Sequence, residues 1–187
     1  MATIKRVGFG QVEPNHLSAK RTGQIYAQLP AEDSIKILEN GQFVKYDYAA
    51  GKVNYTGEGE WMLVFNEVKL YEDRESYKDF ALQAKNFTPG GNITHNGVGP
   101  FPGQMTPRVF KTNVGDIYTT NCVGGAVTEK NGEYAGIDLE VGNYLTVAAT
   151  GYLTKADALD PTKMTWKVAK VYTMADGQPA VKIVRIA

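Results

Sequence analysis

Two histidines, one cysteine and a group of carboxylates are the residues of this chain whose types could do chemistry. General acid–base catalysis needs a group that titrates near the working pH, as histidine does unaided. His16 stands in the opening segment and His95 in a Gly/Pro-rich one, and no pattern brings the two together. Each reads as an ordinary exposed polar residue. Asp73, Glu75 and Asp79 have the carboxyl chemistry of a paired acid and base, but at the start of a short amphipathic segment the helix dipole accounts for them. Cys122 follows Thr119-Thr-Asn121 without the local signature of a nucleophile and reads as a small buried hydrophobe. A single cysteine excludes an internal disulfide, and with two histidines beside it the soft ligands are too few for a zinc site. Gly97-Val-Gly99 lacks the third glycine of a dinucleotide fingerprint and runs into Pro100, which has no N–H to offer a phosphate. No catalytic residue, metal or cofactor is expected, and the chain does not read as an enzyme. Trp61, Trp166 and the eleven tyrosines suit either a sugar-binding aromatic platform or a sheet core and subunit interface.

The elements that would carry these residues are strands. With 187 residues, 43% of them hydrophobic, the chain is large enough to bury a core without disulfide or metal support. No run approaches the roughly 20 apolar residues that cross a bilayer as a helix, and no basic-then-apolar leader opens the sequence, so a soluble protein made in a cytoplasm is expected. Twenty glycines and eight prolines divide it into short segments rich in Val, Ile, Tyr, Phe and Thr, mostly too short for helices. Asn40-Gly41, between Ile35–Leu38 and Phe43–Tyr48, predicts a hairpin with a type I′ turn. Trp61-Met-Leu-Val-Phe65 and the following Glu67–Tyr71 form the most apolar stretch and predict the central strand. Glu72–Leu82 is the one helical pattern, with Tyr77, Phe80 and Ala81 on one face. Val114-Gly-Asp-Ile-Tyr-Thr-Thr120 and Val141-Gly-Asn-Tyr-Leu-Thr-Val147 share a turn-into-strand pattern, V-G-[D/N]-x-x-T. Asp176-Gly177 predicts a terminal hairpin between Thr165–Thr173 and Ala180–Ile186. The fold class is therefore mainly β: a single β-barrel or β-sandwich-like domain over residues 31–187, with an extended N-terminal arm at 1–30, one short helix and a long Gly/Pro-rich loop at 88–107.

Charge is balanced in total, with 20 bases against 20 acids, but not in distribution. Residues 1–30 hold four bases and one acid, a net +3; residues 31–79 hold six bases and eleven acids, a net −5; residues 161–187 hold five bases and one acid, a net +4. Such runs serve as ordinary solvated surface. Basic ends around an acidic middle also suit packing against copies of the same chain or docking on an acidic protein lattice. They do not suit duplex nucleic acid, which calls for a dense net-positive face.

Several stretches carry a resemblance. Met1-Ala-Thr-Ile-Lys-Arg-Val-Gly-Phe-Gly-Gln-Val-Glu-Pro-Asn15, Val68-Lys-Leu-Tyr71 with Lys78-Asp-Phe-Ala81, Pro107-Arg-Val-Phe110, Val114–Asn121 and Lys170–Ile183 span most of the chain in order. Together they resemble small structural head proteins of tailed bacteriophages, which decorate or cement the shell. None of these stretches is a catalytic signature. The resemblance implies a virion protein on the capsid surface, synthesised in the host bacterial cytoplasm, with the major capsid protein and copies of itself (a trimer or dimer) as partners, and neither nucleic acid nor membrane. A cement protein needs a rigid β module and an arm or loop that crosses a seam, with weak contacts multiplied by symmetry. On that reading Lys5, Arg6, Lys20 and Arg21 of the arm pair with capsid carboxylates, and Ile93, His95, Val98 and Phe101 belong to a contact loop. Lys167, Lys170, Lys182 and Arg185 make charge contacts with the acidic 31–79 region of a neighbouring copy. The alternatives are a head–tail connector or tail component, and a carbohydrate- or host-surface-binding β module.

Overall fold

An apolar run without alternation can be a strand only where both of its faces are covered. In the computed structural model, which describes residues 1–18, 29–66, 80–84, 105–127 and 131–187, Trp61–Val64 meets that condition. It lies in β6 (Glu58–Val64), inside a four-stranded antiparallel sheet ordered β5 (Lys52–Asn54), β4 (Phe43–Asp47), β6, β8 (Val109–Phe110). Alternate residues of β4 and β6 enter different cores. Phe43 and Leu63 join a first cluster with Ile4, Tyr118, Leu139, Leu145, Leu153, Trp166 and Ile183, whereas Val44, Tyr46, Met62 and Val64 join a second with Ile35, Leu38, Val53 and Met105.

The first cluster is roofed by a six-stranded antiparallel sheet ordered β12 (Leu153–Ala156), β11 (Tyr144–Val147), β13 (Thr165–Thr173), β14 (Pro179–Arg185), β9 (Ile117–Thr120), β2 (Val12–His16). Two short pairs complete the strands, β1 (Ala2–Ile4) with β10 (Ile137–Leu139) and β3 (Ile37–Leu38) with β7 (Leu82–Gln83). The protein is thus mainly β, with one sheet curled as a half-barrel and several sheets in a sandwich-like arrangement. Trp166 is its largest fully buried side chain, edge-on to Tyr118 at 5.0 Å between ring centroids. That burial removes Trp166 from any sugar-binding platform.

The two V-G-[D/N] segments fold alike. In each, the aspartate or asparagine backbone N–H donates to the carbonyl three residues earlier, Asp116 to Asn113 at 3.0 Å and Asn143 to Glu140 at 3.1 Å. Its side chain accepts the N–H of that same earlier residue, at 2.9 Å and 3.1 Å. Gly115 and Gly142 take φ of +92° and +96°, which places glycine there and delivers the chain into β9 and β11. Asp176-Gly177 closes the β13–β14 hairpin as expected, with Gly177 at φ +82°.

Other expectations are corrected. The opening residues are no arm as far as Ser18, because β1 pairs with β10, β2 pairs with β9, and Ile4, Phe9 and Leu17 are buried. Gly41 does turn the chain, at φ +95° with Gln42 N–H donating to the Glu39 carbonyl at 3.2 Å. The flanking strands do not pair with each other, however; β3 joins β7, and β4 lies between β5 and β6. Of the helical pattern, residues 72–79 lie outside the described residues and Leu82 belongs to β7. The Gly/Pro loop lies outside them up to residue 104.

Candidate functional site

The predicted contact residues separate into five groups. Lys20, Arg21, Ile93, His95, Val98 and Phe101 lie outside the described residues. Lys5 is exposed and forms a surface ion pair with Glu133 at 3.0 Å, an arrangement worth at most about 1 kcal/mol. Arg6 and the three hairpin lysines take opposite fates, one buried and the others on an open face, and Arg185 stands apart from both.

Arg6 is 1% exposed and therefore makes no surface contact. Its Nη2 donates to both carboxylate oxygens of Glu39 at 3.2 Å and to the Gly125 carbonyl at 2.6 Å, while Nη1 donates to the carbonyls of Asn121 and Val123. Glu39, itself fully buried, also accepts the Gly10 N–H at 2.7 Å and the Tyr152 hydroxyl. The guanidinium lies over the rings of Tyr134 and Tyr152, 5.3 and 5.9 Å from their centroids. Burial opposes the Arg6 charge, but the Glu39 carboxylate beside it holds its pKa above the ordinary value. Burial foremost, with Glu39 adding to it, pushes the Cys122 thiol and the Tyr152 hydroxyl well up, so both stay protonated and Cys122 is no nucleophile. Burial likewise pushes Tyr55, whose hydroxyl accepts from Gln42 Nε2 at 2.8 Å, up to about 12. This cluster clamps the start of the chain to the β3–β4 turn and to the segment after β9. Sequence reasoning missed it because nothing near Arg6 or Glu39 marks partners 33 positions apart; the only local signal is a lone acid inside Ile37-Leu-Glu-Asn-Gly41.

Lys167, Lys170 and Lys182 share the outer face of the six-stranded sheet. Strand alternation would put residues three apart on opposite faces, yet Lys167 faces Val184 and Lys170 faces Lys182 because the register shifts by one between Val168 and Lys170. Bulged Ala169 absorbs the extra position and brings both lysines to one side. The half-buried Tyr144, Tyr172, Ile117 and Val184 share this face. Lys167 Nζ lies 6.0 Å from the Tyr144 ring centroid and Lys182 Nζ 5.5 Å from that of Tyr172. Among the described residues none of these three lysines forms an ion pair. The carboxylate in their rows is Glu13, on edge strand β2, two strands from Lys182 and so about 10 Å across the sheet.

Arg185 does not belong to this group. It stands opposite Trp166, on the core side, and its Nη1 meets Glu60 at 2.5 Å and Thr112 Oγ1 at 3.0 Å. There it borders a cleft of about 400 Å³ at the seam of the two large sheets, with Lys45, Trp61 and Lys163. Among the described residues no three His, Cys, Asp or Glu side chains are grouped to hold a metal ion. No protein-family model, curated protein or solved structure matches the chain.

Proposed function

We propose that the chain is a virion structural protein that binds the outside of a phage capsid lattice and decorates or cements it, without catalysis. One observation carries this reading: three lysines, two tyrosines and two aliphatic residues share an open sheet face, with Lys170 directly opposite Lys182. Like charges in a facing pair destabilise a sheet by a few tenths to about 1 kcal/mol. A fold keeps that cost where an anionic partner removes it. Carboxylates of the major capsid protein, or of the acidic region of a neighbouring copy, have the complementary charge, and the tyrosines supply contact area around the lysines. The resemblance of the sequence to phage head proteins supports the same reading, as does a module stiffened by a buried ion pair.

Cosedimentation of the purified protein with shells that lack it tests the proposal. Saturable binding that weakens as salt rises from about 50 to 500 mM is expected, since exposed charge contacts are screened over about 10 Å at 0.1 M. Lys170→Glu with Lys182→Glu is expected to abolish it. Unchanged binding by that double variant would refute the assignment of the face.

A further inference from the structure

The cleft at the seam of the sheets has features that the capsid reading does not use. Val44 pairs with Met62 and Tyr46 with Glu58, so Gly59, Glu60 and Trp61 stand opposite Lys45 alone. A bulge of that size re-aims side chains, and here every residue of it, with Lys45, lines the cleft. Lys45 stands on the side of β4 that carries Phe43 into the first core, where an apolar residue is the ordinary occupant. Its ammonium instead sits 4.9 Å from the Trp61 ring centroid, with no ion pair among the described residues. The far wall comes from β11, from residues 161–164 and from Arg185.

The groups presented define a ligand class. Of the lining cations, Arg185 is paired with Glu60, which Lys111 shares at 3.5 Å, and Lys163 is paired with Asp160 at 3.2 Å, so Lys45 is the one without an ion pair among the described residues. Lys45 therefore offers an unpaired positive charge to an anion. Thr146 and Thr162 already donate their hydroxyl protons, to the Met164 carbonyl at 3.3 Å and to Asp160 at 2.6 Å; their remaining lone pairs, with Glu60, accept from a ligand rich in hydroxyls. Trp61 is half-buried against the first core and carries the Lys45 ammonium over its ring, leaving an apolar margin suited to aliphatic C–H groups more than to a second stacked aromatic. A volume of about 400 Å³ lies in the range of small-molecule sites. From these features we infer that the cleft binds an acidic saccharide, with its carboxylate at Lys45, its hydroxyls on Glu60 and the threonines, and its C–H face on Trp61. This site is separate from the lysine face of β13 and β14, and it stands or falls independently of the capsid reading.

Titration of the intact protein with digalacturonate, by calorimetry and by tryptophan fluorescence, tests the inference. Because Trp166 is fully buried, a ligand-induced fluorescence change reports Trp61. A single saturable site with Kd on the order of 1 mM or tighter is expected, at least about tenfold weaker for the neutral disaccharide digalactose. Lys45→Ala is expected to weaken digalacturonate about tenfold with an unaltered circular dichroism spectrum, Lys45→Arg to retain it, and Lys170→Ala to leave it unchanged. Equal affinity for the neutral sugar, an unaffected Lys45→Ala variant, or no saturable heat or fluorescence change would each overturn it. Uridine monophosphate binding at the same site more tightly than digalacturonate would overturn the saccharide class.

Discussion

The Arg6 guanidinium and the Glu39 carboxylate meet at 3.2 Å with both side chains wholly out of solvent. Between them they engage Gly10, Asn121, Val123, Gly125 and Tyr152, so one buried pair ties together four stretches of chain, at residues 6–10, 39, 121–125 and 152. The loss of one partner leaves an uncompensated buried charge. Arg6→Ala and Glu39→Ala are each expected to lower stability by about 3–5 kcal/mol, and replacement of both by apolar residues of similar volume to cost far less. Urea unfolding of the two single variants and the double variant checks this non-additivity. Additive losses would mean that the contacts act separately.

Alkaline pH is expected to destabilise the protein. Cys122, Tyr55, Tyr118 and Tyr152 all have pKa values raised by burial, with Glu39 adding to it for Cys122, Tyr55 and Tyr152, above ordinary values of 9.0 for the thiol and 10.0 for the phenols. Each group releases its proton more easily when unfolded than when folded. Above the unfolded pKa the native state therefore binds more protons, and stability falls with rising pH. The loss is expected to begin near pH 9 and steepen above pH 10. Thermal unfolding from pH 7 to 11 measures it, and native Cys122 is expected to react with a thiol reagent only on unfolding.

The β3–β4 turn leaves no room for a side chain. A Cβ on Gly41 would stand 2.7 Å from Cys122 Cβ and 2.8 Å from Thr120 Oγ1, at a φ of +95° that L residues rarely adopt. Gly41→Ala is expected to cost about 2–4 kcal/mol, adding overpacking to backbone strain. Gly177→Ala meets no neighbour within 4 Å and carries only the strain of its positive φ, for a smaller loss of about 1–2 kcal/mol. Comparison of the two midpoints in urea separates clash from strain.

Stability and binding are expected to move in opposite directions at Lys170. Its removal relieves the repulsion with Lys182 across the β13–β14 pair, so Lys170→Ala should leave the isolated protein as stable or up to about 1 kcal/mol more stable. The same change should weaken attachment to shells. A variant that lost stability and binding together would instead mark Lys170 as a packing residue.

Local patterns were legible in the sequence where turn and strand were chemically determined within a few residues. The matching β-turns closed by the side chains of Asp116 and Asn143, the Asp176-Gly177 hairpin and the two-sided burial of Trp61–Val64 are of this kind. Pairing across long separations was not legible. Asn40-Gly41 specifies a turn but cannot specify that β3 pairs with residues 82–83, and Arg6 looks like a surface base until Glu39 is brought to it. On the lysine face, the basic hairpin could be read, but the one-residue bulge at Ala169 that gathers Lys167 with Lys170 could not. That same register separates Arg185 and turns it toward Glu60.

The most direct test of the capsid reading is the copy number of this chain relative to the major capsid protein in purified particles, by mass spectrometry. Hundreds of copies per particle, in simple ratio to the capsid subunit, are expected of a protein that decorates the lattice. About a dozen copies or fewer would contradict that account and indicate a neck, tail or vertex component, and absence from particles would contradict a virion role altogether.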